Sequence, residues 1–426
     1  MRRSTFPMTS SAEAEGSKML SGIPEGWSVK SVGQIAAVNM GQSPPSSVVN
    51  TDGDGLPFIQ GNAEFGVRFP VPRQFAATCP KTADAGDILL SVRAPVGEVN
   101  VAPVRLCIGR GLAALRPMGS DREFLFQALG ALAPIFARLS QGSTFEAING
   151  TDLRAISLVL PPLEEQRRIA EVLWSVDEAT AASEAIHKAA LKAQQAAFSA
   201  FLASGNAHDS GHAIKGWTTG IIAGIEKLPP EWELARLVDV ARLESGHTPD
   251  RKRPEYWQGG NIEWISLHDT QNLERADIAA TEMRITEAGL ANSSARVLPE
   301  GTVCFSRTAT VGKCVIMAKP MATSQDFANF VCSARLNNRY LLHLMRWMQP
   351  VWKALASGST HKTIYMPTFK ALQIILPPRE EQDRIVQTMD AFTAIIEREA
   401  QTISALRVIK QSVMSDLLSG RVRVPA

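Results

Sequence analysis

A long internal duplication constrains this chain more than any single motif. Ile23-Pro24-Glu25-Gly26-Trp27 is matched by Leu228-Pro229-Pro230-Glu231-Trp232, each with a Trp four residues after an apolar residue. Gly41-Gln42-Ser43-Pro44 is matched by Gly246-His247-Thr248-Pro249, and Pro57-Phe58-Ile59-Gln60 by Glu263-Trp264-Ile265-Ser266. Gly86-Asp87-Ile88-Leu89-Leu90-Ser91 pairs with Gly301-Thr302-Val303-Cys304-Phe305-Ser306, and Val96-Gly97 with Val311-Gly312. Gly142-Ser143-Thr144 answers Gly358-Ser359-Thr360. Leu160-Pro161-Pro162-Leu163-Glu164-Glu165-Gln166 answers Leu376-Pro377-Pro378-Arg379-Glu380-Glu381-Gln382. The offset grows only from 205 to 216 between first match and last. Colinear matches from 23 to 166 and from 228 to 382 mean a unit copied twice, roughly 23–202 and 228–419.

Each copy reads in two parts. The first, about 140 residues, carries short β-branched and aromatic runs broken by Gly, Pro and Asn, such as 88–92 and 303–306, with short helices at 121–138 and 338–356. The second is one helix of about 40 residues, starting after Pro-Pro and ending at Ser204-Gly205 and Ser419-Gly420. At 1.5 Å per residue such a rod is about 60 Å long and needs a partner. Ile385, Phe392, Leu406 and Val413 fall at sevenfold spacing, interrupted by Glu399, with Ile395 and Ile409 beside them. In the first helix, Ile169, Val176, Ser183, Ala190 and Ala197 form one seam, and Val172, Ala179, Ile186, Ala193 and Ala200 are expected to form the second. The small residues predict an antiparallel pairing of the two helices, against the alternative that each packs only on its own globular half.

The remaining composition narrows the function. No apolar run reaches the ~18–20 residues that span a bilayer, and no apolar stretch follows the basic start Met1-Arg2-Arg3. Five cysteines without a C-x-x-C pair (Cys79, Cys107, Cys304, Cys314, Cys332) are expected to be buried free thiols of a cytoplasmic protein. His208 and His212 share helical spacing, but in a polar, glycine-bearing stretch without a third ligand. The chain lacks a G-x-x-x-x-G-K-[ST] loop, a G-x-G-x-x-G after a strand, a His-Glu-x-x-His, a Glu-x-Lys and an Asn-Pro-Pro-aromatic run. These absences speak against an NTPase, a dinucleotide enzyme, a metalloprotease, the common nuclease core and an amino-methyltransferase.

Local charge is what remains, because the net charge is only +2. Between Gly301 and Tyr365 stand eight basic residues, Arg307, Lys313, Lys319, Arg335, Arg339, Arg346, Lys353 and Lys362, against the single acid Asp326. Such a window is expected to neutralise phosphates. Gly86–Phe145 has six Arg against four acids, a weaker signal that a solvated face explains equally well. The polar strand ends Gln60, Asn62, Ser266 and His268 carry groups that read base edges.

The duplicated Trp…Gly-x-[Ser/Thr]-Pro…Gly-Ser-Thr…Leu-Pro-Pro-x-Glu-Glu-Gln pattern, each time closed by a long helix, resembles the specificity subunits of type I restriction-modification systems. The resemblance covers about 23–424, and the Leu-Pro-Pro block is its most specific element. It implies an α+β protein of two similar mixed α/β target-recognition domains, each followed by a long helix. The two helices form an antiparallel coiled coil with pseudo-twofold symmetry. Together with the residue pattern this gives the expected parts: a disordered tail 1–20, target-recognition domains 21–162 and 228–378, long helices 163–202 and 379–420, a linker 203–227 and a C-terminal tail 421–426. The resemblance also implies a non-catalytic subunit. Each half reads one part of a split site in double-stranded DNA, and the helices set the spacing and dock two methyltransferase (modification) subunits. Those subunits carry S-adenosylmethionine and methylate adenine; a restriction subunit using ATP and Mg joins where one exists.

Within that frame the candidate DNA-binding residues are Gln60, Asn62, Arg93, Ser266, His268, Arg307 and Lys313, with the two Gly-Ser-Thr turns. Gly142, Ser143 and Thr144, and Gly358, Ser359 and Thr360 with His361 and Lys362, offer N–H, hydroxyl and cationic donors to phosphates. The alternative for these turns is a packing role before the last strand. Two other functions stay open: a helical scaffold without base readout, and a diverged DNA methyltransferase.

Overall fold

The structure, a computed structural model, describes residues 23–133, 136, 147–204, 212–213, 225, 227–357 and 363–424. The expected tail 1–20 and most of the expected linker 203–227 lie outside these. The chain divides into two units, one of residues up to 182 with 403 onward, the other of 183–402. Each therefore contains one globular domain and one half of each long helix.

In the first unit, β1 (Ala36–Met40), β2 (Leu56–Ile59), β3 (Ile88–Ser91), β4 (Val99–Val101), β5 (Leu106–Ile108) and β6 (Leu112–Pro117) build two sheets. One is antiparallel in the order β1-β6-β3-β4. The other pairs β2 with β5 in parallel, Phe58 opposite Cys107, flanked by the short strands 49–50, 74–76 and 82–83. The unbroken apolar run of β3 follows from burial on both faces. Ile88 and Leu90 enter a core with Trp27, Leu115 and Phe124, while Leu89 packs with Ile59, Leu106 and Ile108. Helix α1 (Arg122–Ala131) is capped by Asp121, whose Oδ1 accepts the Phe124 N–H at 2.9 Å. Helix α2 spans Leu163–Leu202.

The second unit repeats this plan. Strands β7 (Ala241–Ser245), β8 (Ile262–Ile265), β9 (Val303–Ser306), β10 (Cys314–Met317), β11 (Ala322–Thr323) and β12 (Phe327–Cys332) give a sheet β7-β12-β9-β10, with strand 277–278 beyond β10. A parallel β8–β11 pair sets Trp264 opposite Ala322. Helix α3 (Asn338–Trp347) completes the domain, and helix α4 (Arg379–Leu418) follows it, its residues from 403 on belonging to the first unit. The expected mixed domains with one long helix each are thus present.

The repeated Gln of the Leu-Pro-Pro block explains why the block recurs. Gln166 Nε2 donates to the Pro161 carbonyl at 2.9 Å, and its Oε1 accepts the Asp121 N–H at 2.8 Å. Gln382 does the same with Pro377 and Asn337, both at 2.8 Å. One buried carboxamide thereby ties the start of each long helix to the cap of the domain helix before it.

The long helices pack antiparallel within each unit, and both rest on the domain there. Ile169, Leu173 and Leu417 share the first core; Phe198, Leu202, Ile385 and Met389 share the second. The first predicted seam, Ile169 to Ala197, is buried or half-buried. The second is corrected: Val172, Ala179, Ile186, Ala193 and Ala200 all face solvent. The buried and half-buried positions come one residue later, at Leu173, Thr180, His187, Gln194 and Phe201. Three of these are polar, which is why apolar periodicity passed over them. His187 Nδ1 donates to the Ile396 carbonyl at 3.1 Å, and Gln194 Nε2 to Thr393 Oγ1 at 2.9 Å. In the first unit Lys410 Nζ meets Asp177 at 2.6 Å.

The cysteine expectation also needs correction. Cys79 and Cys107 form a disulfide, with Cα atoms 5.7 Å apart. Thr82 stands opposite Cys107 in the sheet, and the chain just before it brings Cys79 across, a proximity that a sequence separation of 28 does not reveal. Cys304, Cys314 and Cys332 are free thiols as expected. Burial pushes the last two up to about 12. Among the described residues no helix is long and apolar enough to cross a membrane, and no group of His, Cys, Asp and Glu is placed to hold a metal ion.

Candidate nucleic-acid interface

The repeated Gly-x-[Ser/Thr]-Pro motif carries no reactive group, and the structure gives it a mechanical task. It supports a turn that enters the strand after β5 in the first unit and after β11 in the second. Gly41 donates its N–H to the Leu112 carbonyl at 2.8 Å, and Gln42 to Ile108 at 3.0 Å. A Cβ on Gly41 would sit 2.1 Å from the Gly109 carbonyl oxygen, and one on Gly246 would sit 2.2 Å from that of Ser324. Only glycine permits this backbone-on-backbone approach. The hydroxyl residue of the motif then reaches the turn itself. Ser43 Oγ accepts the Arg110 N–H at 3.2 Å, and Thr248 Oγ1 donates to Gln325 Oε1 at 2.5 Å.

The turns are Gly109-Arg110-Gly111 and Ser324-Gln325-Asp326, related by the same offset of 215 as the glycine-strand blocks. Val92 donates its N–H to the Gly111 carbonyl at 2.9 Å, and Arg307 its own to Asp326 at 2.9 Å. Gly109 donates to the Ile59 carbonyl at 2.8 Å, and Ser324 to Ile265 at 2.9 Å. Each turn is thus gripped by the ends of two strands and by the motif loop, with its middle side chain exposed.

Several candidate residues border these turns. Gln60 is exposed at the end of β2, its backbone against Gly109 and Gly111. Arg93 is exposed one residue beyond Val92, its backbone bridging Ala147. Arg307 lies at the second turn, where its Nε donates to the Gln325 carbonyl at 2.9 Å. It therefore holds the turn's shape. Asn62 lies farther along, donating from Nδ2 to Glu98 at 3.1 Å. His268 is exposed, its Nδ1 3.3 Å from Ser266 Oγ.

Two candidates are placed otherwise than a contact residue would be. Ser266 is 2% exposed, and its N–H and hydroxyl close a short turn on Asp269. Lys313 Nζ is held by Glu274 at 2.7 Å and the Thr270 carbonyl at 3.2 Å. The candidates Gly142, Ser143, Thr144, Gly358, Ser359, Thr360, His361 and Lys362 lie outside the described residues.

Four of the eight basic residues of the window, Lys313 among them, are paired with acids from elsewhere in the chain. Lys319 pairs with Glu263 at 3.1 Å, Arg339 with Asp277 at 2.6 Å, and Arg335 with Glu233. Arg346 points inward to the carbonyls of Glu274, Arg275 and Cys314. A count along 301–365 could not register partners at 233, 263, 274 and 277.

The comparisons agree with this architecture. A family model, the type I restriction modification DNA specificity domain, matches residues 24–193 and again 229–407. A Methanocaldococcus jannaschii protein named for the specificity subunit of type I restriction enzyme MjaX is 47% identical over 160 residues, which is 37% of this chain and 38% of that protein. The type I restriction enzyme MjaIX specificity subunit of the same organism is 32% identical over 187 residues, 43% of each chain. The alignments span less than half the length of these two relatives. A solved type I restriction-modification S subunit from M. genitalium is similar with a TM-score of 0.61 at 13% identity, over 93% of this chain and 96% of that one. A chain from a structure on complex assembly and conformational transition of the type I R-M system gives 0.51 at 20% identity, over 94% and 100%. At such identities these two show likeness of fold.

Proposed function

Since the chain belongs to the type I restriction-modification DNA specificity family, we propose that it is the sequence-reading subunit of such a complex. In this reading each domain recognises one part of a gapped, bipartite site in double-stranded DNA. The paired helices fix the gap and dock two methyltransferase subunits, one for each half. Those subunits bind S-adenosylmethionine and methylate adenine in the cytoplasm, and a restriction subunit using ATP and Mg joins where one exists. The chain itself contributes recognition and geometry, not a reacting group. The observation that carries the proposal is the occurrence, once per domain, of the same buttressed turn with a different exposed side chain.

A binding series on the complex with methyltransferase subunits tests it. Affinity should fall steeply with salt and favour one gapped sequence. Equal affinity for all duplexes rejects the reading. The scaffold alternative draws support from the internally paired basic residues; it requires the chain to assemble its partners with no sequence preference. Transfer of labelled methyl groups to DNA by the purified chain alone would instead favour a diverged methyltransferase.

A further inference from the structure

We propose that Arg110 and Gln325 are the base-reading residues of their two domains, Arg110 taking a guanine and Gln325 an adenine through the major groove. The assignment rests on the DNA-recognition reading above and adds to it the residues that set the letters.

The first turn presents only one side chain. Gly109 and Gly111 lie so close to Gln60 that a Cβ on either would stand 2.8 or 2.7 Å from its backbone. Arg110 is held at its N–H by Ser43 while its side chain is exposed. Arg68, Arg116 and Arg122 in the same domain are all committed to carboxylates. The Arg110 guanidinium has no ion pair or hydrogen bond among the described residues. A planar fork of donors with no acceptor matches guanine, whose N7 and O6 are two adjacent acceptors.

The second turn reaches the same result with other residues. Ser324 Oγ donates to Asp326 Oδ2 at 2.9 Å, and Asp326 Oδ1 accepts from Thr308 Oγ1 at 2.8 Å. Both flanking side chains are thereby used internally, and Gln325 alone is exposed. Arg307 fixes its carbonyl, and Thr248 fixes its Oε1. The amide keeps its two Nε2 donors and a second lone pair on Oε1. One donor beside one acceptor is the complement of adenine N7 and N6–H. The supporting residues are alike in the two domains (Gly41 and Gly246, Ser43 and Thr248), whereas the residue in the slot differs. A duplicated reader that recognises two different half-sites needs that arrangement.

The test uses the full chain assembled with its methyltransferase subunits, acting on a plasmid library of random duplex sequence read by modified-base sequencing. Arg110→Ala should make one guanine position of one half-site degenerate, with discrimination falling roughly 5- to 150-fold. Gln325→Ala should relax one adenine position in the other half-site by a similar factor. Arg110→Gln and Gln325→Arg should rewrite those letters to adenine and guanine. For a variant that methylates too weakly to sequence, gel shifts against duplexes substituted one position at a time give the same discrimination. An unchanged motif, or equal weakening on every sequence, overturns the assignment. A wild-type complex with no sequence preference would instead sink the underlying DNA-reading proposal.

Discussion

Oε1 of Gln382 accepts the backbone N–H of Asn337 at 2.8 Å, while its Nε2 donates to the carbonyls of Pro377 and Arg335. The side chain is fully buried, so its removal leaves three backbone groups without a partner. Gln382→Ala should lower stability by about 1–3 kcal/mol, read as a shifted midpoint in denaturant unfolding with helix content unchanged beforehand. A change below a few tenths would mean that the repeated Gln is not a structural clamp.

The burial of one face of α2 against the second domain predicts a contrast between two of its apolar residues. Phe198 is 2% exposed and packs on Tyr340 and Trp347, with ring centroids 6.1 and 5.9 Å away. Ile186 is 48% exposed. Phe198→Ala should cost about 3–5 kcal/mol, and Ile186→Ala about 0.5 kcal/mol or less. A loss at Ile186 as large as that at Phe198 would mean that Ile186 is buried, as the second seam expected.

The disulfide makes a countable prediction. Thiol titration of the denatured, unreduced protein should find three reactive cysteines, rising to five after reduction. Closing a loop of this size contributes about 3.5 kcal/mol in the chain-entropy picture. Cys79→Ser should therefore destabilise the first domain on that scale, and five thiols before reduction would contradict the pairing.

Glu263 sets an acid dependence. Its burial favours the protonated form, but the hydroxyl and N–H of Thr281 and the ammonium of Lys319 outweigh this and hold the carboxyl at about 2. A depressed folded value contributes stability above the unfolded value near ~4.3, and that contribution is lost as pH falls toward 2. Unfolding free energies measured between pH 5 and pH 2 should drop less steeply in Glu263→Gln than in the wild type. Parallel curves would show that this carboxylate adds nothing.

The duplication, the domain plan and the antiparallel helices could be read from the sequence because equal cores demand equal apolar patterns in both copies. Half the helix seam was legible for the same reason. The other half was not, since Thr180, His187 and Gln194 are polar, and His187 and Gln194 reach the other helix by hydrogen bonds that hydropathy cannot register. Charge misled most: a window rich in Lys and Arg says nothing about Glu233, Glu263 or Asp277 folding back onto it. The equivalence of Arg110 and Gln325 is positional and does not show in residue type. Gly-Arg-Gly in one copy and Ser-Gln-Asp in the other look unrelated until strand pairing sets them in the same slot. Ser266 is the converse case, a polar strand end that reads as a contact and is used as a cap.

Competition binding with duplexes built on the sequence selected by the complex would probe the two-reader account most directly. Each half-site is scrambled in turn, and the gap is lengthened one base pair at a time. The account predicts that scrambling either half, or changing the gap while keeping both halves intact, weakens binding at least tenfold. Full affinity for one half-site alone, or indifference to the gap, would contradict it.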